Sequence, residues 1–257
     1  MNNPIFSIIT VTLNNLSGLK DIYENLTNQK FSDYEWVVVD GGSSDGSFEY
    51  LSSISNSKVQ WVSETDNGIY HAMNKGLLMA KGEYMNFMNA GDNFCSENTL
   101  KLVYKEIKKI GSPDLIYGHS FNREANGVLH LKPCRYSFFV NYGMPASHQS
   151  MFYKSSIFER YKYDESLKIA SDYKLTSAVI KDSEYSISKV NFPICIFNLN
   201  GLSNYNSDLA VLEQKMIWRD IFNHPVFLIY LFRFSQVMAL FLRTKVSVVY
   251  YLLRKLV

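Results

Sequence analysis

Four times in its first 92 residues the chain runs a β-branched or aromatic stretch into a polar turn, and helical spacing fills the first and third intervals. FSIITVTLNN (Phe6–Asn15) ends in two amides, and YEWVVVDGGSSDGS (Tyr34–Ser47) carries Asp40 into a Gly/Ser/Asp turn. Lys58–Ser63 leads to Glu64, Asp66 and Asn67, and Glu83–Asn89 leads to Asp92. Leu16, Leu19, Ile22, Tyr23 and Leu26 recur at the helical period after the first stretch. Ala72, Gly76 and Ala80 mark a helix with small residues before the fourth. Such alternation builds βαβ units, so the expected class is α/β with a mostly parallel central sheet flanked by helices. Ligands of such sheets sit beyond the carboxyl ends of the strands. Thr12, Asn14, Asp40, the Glu64–Asn67 loop and Asp92 all fall there, which aims polar groups at one rim.

After Asp92 the spacing predicts an amphipathic helix over Thr99–Ile110, a strand over Leu115–Phe121, and a hairpin turn at Asn126-Gly127 leading into Val128–Lys132. Met144–Tyr153 combines an irregular entry with a His-Gln pair, and Tyr163–Leu175 reads as a loop leading to a helix that starts near Ser171-Asp172. Glu184–Val190 and Ile194–Asn198 are expected as two strands and Gly201-Leu202-Ser203 as a turn.

The final stretch differs in kind. Met1–His224 holds 21 basic and 24 acidic residues, whereas Pro225–Val257 holds five basic and none acidic. A body with no basic excess argues against nucleic acid as a partner. Arg233 and Arg243 interrupt the apolar runs too soon for a membrane-spanning helix, which needs about 20 apolar residues. On a helical wheel Arg233, Gln236, Arg243, Thr244, Ser247, Arg254 and Lys255 gather in about a third of the circumference at roughly 100° per residue. The expectation is a basic amphipathic region from residue 225 that lies on an anionic membrane surface. The competing expectation is a helix that packs on the body with its Arg heads reaching water. Three widely spaced cysteines, Cys95, Cys134 and Cys195, indicate neither a disulfide framework nor a zinc cluster. They fit a reducing, cytoplasmic setting, and no basic n-region precedes the first apolar run.

Each candidate residue has a plainer role beside the functional one. Asp40 beside Gly41-Gly42 accepts hydrogen bonds from a base or ribose, or else stabilises its turn. Asp92 in Asn-Ala-Gly-Asp-Asn is a metal ligand or a turn former. Glu64 and Asp66 contact a ligand or are solvated loop acids, and Asn74 and Lys75 face a ligand or solvent. His148 and Gln149 line a pocket or serve the core. Tyr70 and His71 stack on a sugar or merely pack.

VVVDGGSSDGS followed by SETDNGIYHAMNKGLLMAKGEYMNFMNAGD resembles the family 2 glycosyltransferases of GT-A (Rossmann-like) fold, particularly bacterial enzymes that assemble O-antigen or capsule repeat units. The resemblance is ordered over roughly the first hundred residues, continues through His148-Gln149 and Ala170-Ser171-Asp172, and fades after Ser203. It implies a glycosyltransferase domain over residues 1–204, with a donor half to about 95 and an acceptor half from about 96, and a helical region over 205–257. It implies that Asp40 contacts the nucleotide of a UDP-sugar, with Thr12, Asn14, Glu64, Asp66, Asn74 and His148 around the donor. Asp92 then holds Mn2+ or Mg2+ on the diphosphate, and Asp172 is the base that activates an acceptor hydroxyl for inverting transfer. The family's Asp-x-Asp-Asp form is reduced here, because Asn89 and Gly91 stand where acids are usual.

The implied acceptor is a lipid-linked (polyprenyl-diphosphate) saccharide, and the implied location is peripheral, on the cytoplasmic face of the bacterial membrane. A nucleotidyltransferase would need a Gly-rich loop with a basic residue after the first strand; TVTLNNLSG has no basic residue before Lys20. A non-catalytic nucleotide-sugar-binding or membrane-interaction protein is the remaining alternative. Oligomeric state has no signature in the sequence.

Overall fold

The computed structural model describes residues 3–198 and 207–245. Strands β1 (Phe6–Thr12), β2 (Tyr34–Asp40), β3 (Val59–Ser63) and β4 (Tyr84–Phe87) alternate with helices α1 (Leu16–Thr27), α2 (Ser47–Ser53) and α3 (Ile69–Met79). A two-residue strand β5 (Asn93–Phe94) precedes α4 (Thr99–Ile110), β6 (Leu115–Arg123) and β7 (Leu129–Lys132). Two 3-10 turns, Ser137–Asn141 and His148–Ser150, frame the entry to β8 (Met151–Lys154). Then come α5 (Ile157–Arg160), α6 (Ser171–Lys181), β9 (Ile187–Asn198), α7 (Ser207–Asp220) and α8 (Val226–Lys245).

The sheet runs β3-β2-β1-β4-β8-β6-β9-β5, with β7 paired to β6 beyond the end of β8. The four N-terminal strands are all parallel, as the βαβ pattern requires. Antiparallel pairing enters with β8, which joins β4 to β6, and returns at β7 and β5, while β6 and β9 run parallel. The parallel character therefore belongs mainly to the first four strands, and the strands after them are mixed. The two strands expected over 184–198 are one continuous strand. Pro193, which has no N–H for the ladder, sits where the β6–β9 register shifts, so the irregularity absorbs it.

Alternation along β1 splits the core. Phe6 and Ile8 face a layer with Leu19 and Ile22 of α1 and Leu100, Val103 and Ile107 of α4. Ile9 and Val11 face Ala72 and Met73 of α3 and Leu175 and Val179 of α6. A third cluster joins Val140, Leu167, Ala170 and Tyr173 to Ile217 and Trp218 of α7 and Ile229 of α8. Ile217 and Trp218 of α7 thus pack with Tyr173 of α6.

No described helix is long and apolar enough to cross a membrane. Helix α8 packs Ile229 on Ile217 and Trp218 of α7. Gln236 donates to Gln214 of α7 at 3.1 Å and Arg233 donates to Gln236 at 3.3 Å, so this part of the polar stripe turns inward. Phe227, Tyr230 and Phe234 point outward, 72%, 64% and 64% exposed, in line with exposed Leu231, Val237, Met238 and Phe241. Arg254, Lys255 and the turn expected at 201–203 lie outside the described residues.

Candidate active site

Asp92 closes a four-residue turn. Its N–H donates to Asn89 C=O at 3.0 Å, and Gly91 takes φ +100. A side chain at that φ is strained, so the turn favours glycine at this position. Helix α1 presses on the same turn. A Cβ on Gly18 would lie 2.6 Å from Gly91 N, and Asn15 caps α1 through Gly18 N–H while donating to Ala90 C=O at 3.0 Å. The turn is therefore braced by a helix N-terminus that only a bare backbone can bring so close.

The Asp92 carboxylate is 6% exposed. Its Oδ2 accepts from Gln149 Nε2 at 2.7 Å and its Oδ1 accepts from Asn198 N–H at 2.9 Å. Burial pushes its pKa above the usual carboxylate range, opposed by those two donors and by the nearby His148 and Arg123. Asn86, fully buried on β4, fixes Gln149 in place by donating to the carbonyls of Gln149 and Met151 at 2.9 Å each.

Next to Gln149, His148 links the two halves of the site. Its Nδ1 lies 3.4 Å from Asp172 Oδ2, and its Nε2 lies 3.5 Å from Asn89 Nδ2. An imidazole that accepts from Asn89 at Nε2 carries its proton on Nδ1, facing the carboxylate. Asp172 is the second residue of α6, not its cap; the cap position belongs to Ala170. Its Oδ1 accepts the Tyr173 N–H at 2.8 Å.

Asn14, Asp92, His148 and Asp172 line one cleft of about 890 Å³ at the carboxyl ends of the parallel strands. Gln149 and Tyr70 line it as well, whereas Thr12, Asp40, Glu64, Asp66, His71, Asn74 and Lys75 do not. Asp40 is fully buried and spends its carboxylate on Ser43 and Ser63, with Ser63 Oγ at 2.6 Å, which is the turn-holding role. Glu64 and Asp66 both engage Lys75, at 2.7 and 2.6 Å. Asn74 staples α3 to the acceptor half through Tyr163 and Glu165. Thr12 is buried behind the rim, and its carbonyl accepts from Gly41. Sequence reasoning missed Arg123, Lys132 and Lys168, which line the cleft from the β6–β7 hairpin and from the loop before α6. Their only sequence signal was position near hairpin and helix starts.

No three His, Cys, Asp or Glu side chains meet as a metal cluster among the described residues. The site nonetheless suits a hard cation. Beside Asp92 the cleft is lined by Asn89, Asn122 and Gln149, whose buried amide oxygens have no hydrogen-bond partner among the described residues. Mg2+ and Mn2+ prefer oxygen donors and commonly use one or two carboxylates, with substrate phosphates and water completing the shell.

The loop that delivers Asp172 is held by Asp164. That carboxylate accepts from Lys174 Nζ at 2.5 Å and from Ser166, which brings its pKa down to about 2. A depressed carboxylate stabilises the fold above its unfolded pKa, about 4, and loses that contribution as pH falls through the folded value. The urea midpoint of the wild type is therefore expected to exceed that of Asp164→Asn at pH 7, with the gap closing between about pH 4 and pH 2. A gap independent of pH would remove the ion pair from the account.

A sheet whose parallel strands open at their carboxyl ends onto a cleft with one carboxylate on a tight turn and a second in the first turn of a helix has the form of a GT-A glycosyltransferase. The chain belongs to glycosyl transferase family 2, whose family model matches residues 7–169. It is 27% identical over 213 residues to an uncharacterized glycosyltransferase of Mycobacterium tuberculosis, covering 81% of this chain and 80% of the relative. It is 28% identical over 223 residues to a PGL/p-HBAD biosynthesis glycosyltransferase of the same organism, covering 83% and 85%. In fold it resembles Staphylococcus aureus TarS 1-349 in complex with UDP-GlcNAc, with TM-score 0.63, 19% identity and coverage of 85% of this chain and 71% of that one. A second crystal structure of TarS 1-349 is matched over 82% of this chain and 64% of that one. The mannosyltransferase PcManGT of Pyrobaculum calidifontis, in complex with GDP-Man and Mn2+, matches at TM-score 0.65 and 16% identity, over 88% of this chain and 66% of that one.

Proposed function

We propose that this glycosyltransferase moves a hexose from a UDP-sugar, with inversion, onto a hydroxyl of a lipid-linked saccharide during assembly of a surface polysaccharide such as O-antigen. The observation that supports the reading is the chain Asp92–Gln149–His148–Asp172, in which two carboxylates, one of them buried, share one cleft. Asp172 Oδ2 takes the proton of the acceptor hydroxyl as its oxygen attacks the anomeric carbon. The bond from that carbon to the UDP oxygen breaks on the opposite face, so configuration inverts. His148 orients Asp172 through Nδ1, and Arg123 sits where it adds positive charge near the departing diphosphate. Asp92, with the amide oxygens beside it, would hold Mn2+ or Mg2+, which when bound supplies Lewis-acid neutralisation of the charge on UDP. Binding of UDP-GlcNAc and UDP by TarS and of GDP-Man by PcManGT supports a nucleotide-sugar donor. The test is release of UDP from a panel of UDP-sugars with Mn2+ and a sugar-diphosphate-lipid analogue, followed by mass spectrometry of the product. Saturable UDP binding without turnover on any donor would favour a binding protein.

The lipid-linked acceptor and a peripheral position on the cytoplasmic face of the membrane rest on α8. Its outward face presents Phe227, Tyr230, Leu231, Phe234 and Phe241 without an acidic side chain in the helix, and the whole tail is basic. Apolar side chains enter the acyl boundary while Lys and Arg meet anionic headgroups. Each fully buried aromatic contributes about 1.5–3 kcal/mol. Phe227→Glu with Phe234→Glu is expected to lower partitioning onto phosphatidylglycerol vesicles by at least about tenfold, while activity on a short-chain soluble acceptor persists. Undiminished vesicle binding by the double variant would remove α8 as the docking face.

A further inference from the structure

The loop before α6 is pinned from an unexpected direction. Glu213 of α7 is 4% exposed, and its carboxylate accepts three consecutive backbone N–H groups, from Lys168 at 2.8 Å, Ile169 at 3.0 Å and Ala170 at 2.8 Å. Converging backbone N–H groups of this kind form an anion nest, and here the anion belongs to the protein. Ala170 is the cap residue of α6, whose helix has no side-chain cap of its own, and Asp172 follows two residues on. One turn further along α7, Trp218 Nε1 donates to Tyr173 OH at 3.0 Å, and Tyr173 OH donates to Val140 C=O. From the other side Tyr70 OH of α3 donates to Ile169 C=O. Helix α7 lies beyond the residues matched by the family model, so no family assignment covers it.

We propose that Glu213 is a positioning residue: it sets the backbone of residues 168–170, and through it the place of Asp172 against the acceptor hydroxyl. The inference rests on Asp172 as the base. A general base displaced by about 1 Å loses on the order of 10²-fold in rate, so a fixed cap is a functional requirement as well as a structural one. Glutamine is nearly isosteric with Glu213 but turns an NH2 group toward one or more of the three N–H donors, so it cannot satisfy all of them.

The experiment uses the full chain as wild type, Glu213→Gln, Glu213→Asp and Asp172→Asn. It reads amide hydrogen exchange at residues 168–170, UDP binding with Mn2+, and steady-state turnover with the donor and acceptor pair that the wild type uses. Expected are protected amides at 168–170 in the wild type and exchange at least about tenfold faster in Glu213→Gln. Its kcat per UDP-binding site should fall by about tenfold to a hundredfold, with donor KM and UDP affinity within about twofold, and Glu213→Asp should lie between. General destabilisation would instead lower the number of UDP-binding sites and leave kcat per site intact, and that result overturns the proposal. Unprotected amides in the wild type overturn it without any variant, should Glu213→Gln fail to fold. Unchanged protection and kcat in Glu213→Gln, beside an impaired Asp172→Asn, overturn the clamp and leave the base assignment standing. Full turnover in Asp172→Asn, beside an impaired Glu213→Gln, overturns the base and with it the link from Glu213 to catalysis.

Discussion

Asp172→Asn is expected to lower kcat by about 10²-fold or more while UDP affinity stays nearly unchanged. The amide keeps the size of the carboxyl, so the substituted side chain can still accept the Tyr173 N–H that now reaches Oδ1 at 2.8 Å. It can also face His148 across the present 3.4 Å. What it cannot do is take a proton from a sugar hydroxyl. Because the substitution is conservative in shape and Asp172 lies on the acceptor side of the cleft, donor KM and the unfolding midpoint serve as internal controls. Full activity would move the base elsewhere, with His148 the nearest titratable group in contact with it.

Loss of the other carboxylate should be more complete. Asp92→Ala is expected to abolish metal-dependent transfer and the binding of Mn2+ in the presence of UDP, read by titration. The variant also leaves Gln149 Nε2 and Asn198 N–H without their acceptor. A buried donor stranded in this way costs about 1–3 kcal/mol, so the unfolding midpoint falls even though the sheet persists. Asp92→Asn keeps the shape and isolates the charge. Because burial holds the Asp92 carboxyl above its ordinary range, protons compete with the metal at a higher pH than at an exposed aspartate. The metal concentration needed for half-maximal activity should rise as pH falls. An Asp92→Ala enzyme that transfers sugar with an unchanged metal requirement would sink the ligand assignment.

The elements whose code is local were readable. β-branched runs give strands, polar turns end them, and α4 occupies the residues Thr99–Ile110 that its apolar spacing marks. The hairpin at Asn126-Gly127 follows from turn chemistry, and Gly127 has φ +83. Side-chain direction was not readable. Strand-end position says that Asp40, Glu64 and Asp66 stand near the rim, but whether a carboxylate faces the ligand or its own turn depends on partners such as Ser43, Ser63 and Lys75. Asn74 is spent on a contact about ninety residues away, at Tyr163. The grip of Glu213 on residues 168–170 is likewise invisible in sequence, since one buried acid on an amphipathic helix carries no signal of what it holds.

The Asp92 turn also bears on how the protein comes into being during translation. Strands β1 to β4 with their helices pair among sequence neighbours and can assemble as soon as they leave the ribosome. Among the described residues the neighbouring strand β5 pairs with β9 alone, and the Asn198 N–H that Asp92 accepts is made 106 residues later. At about 5–20 residues per second, the Asp92 carboxylate waits roughly 3–11 s for Gln149 and roughly 5–20 s for Asn198, whose strand also supplies the partner of β5. The interval in which this enzyme is most open to misassembly is therefore set by the distance along the chain between its fourth and ninth strands.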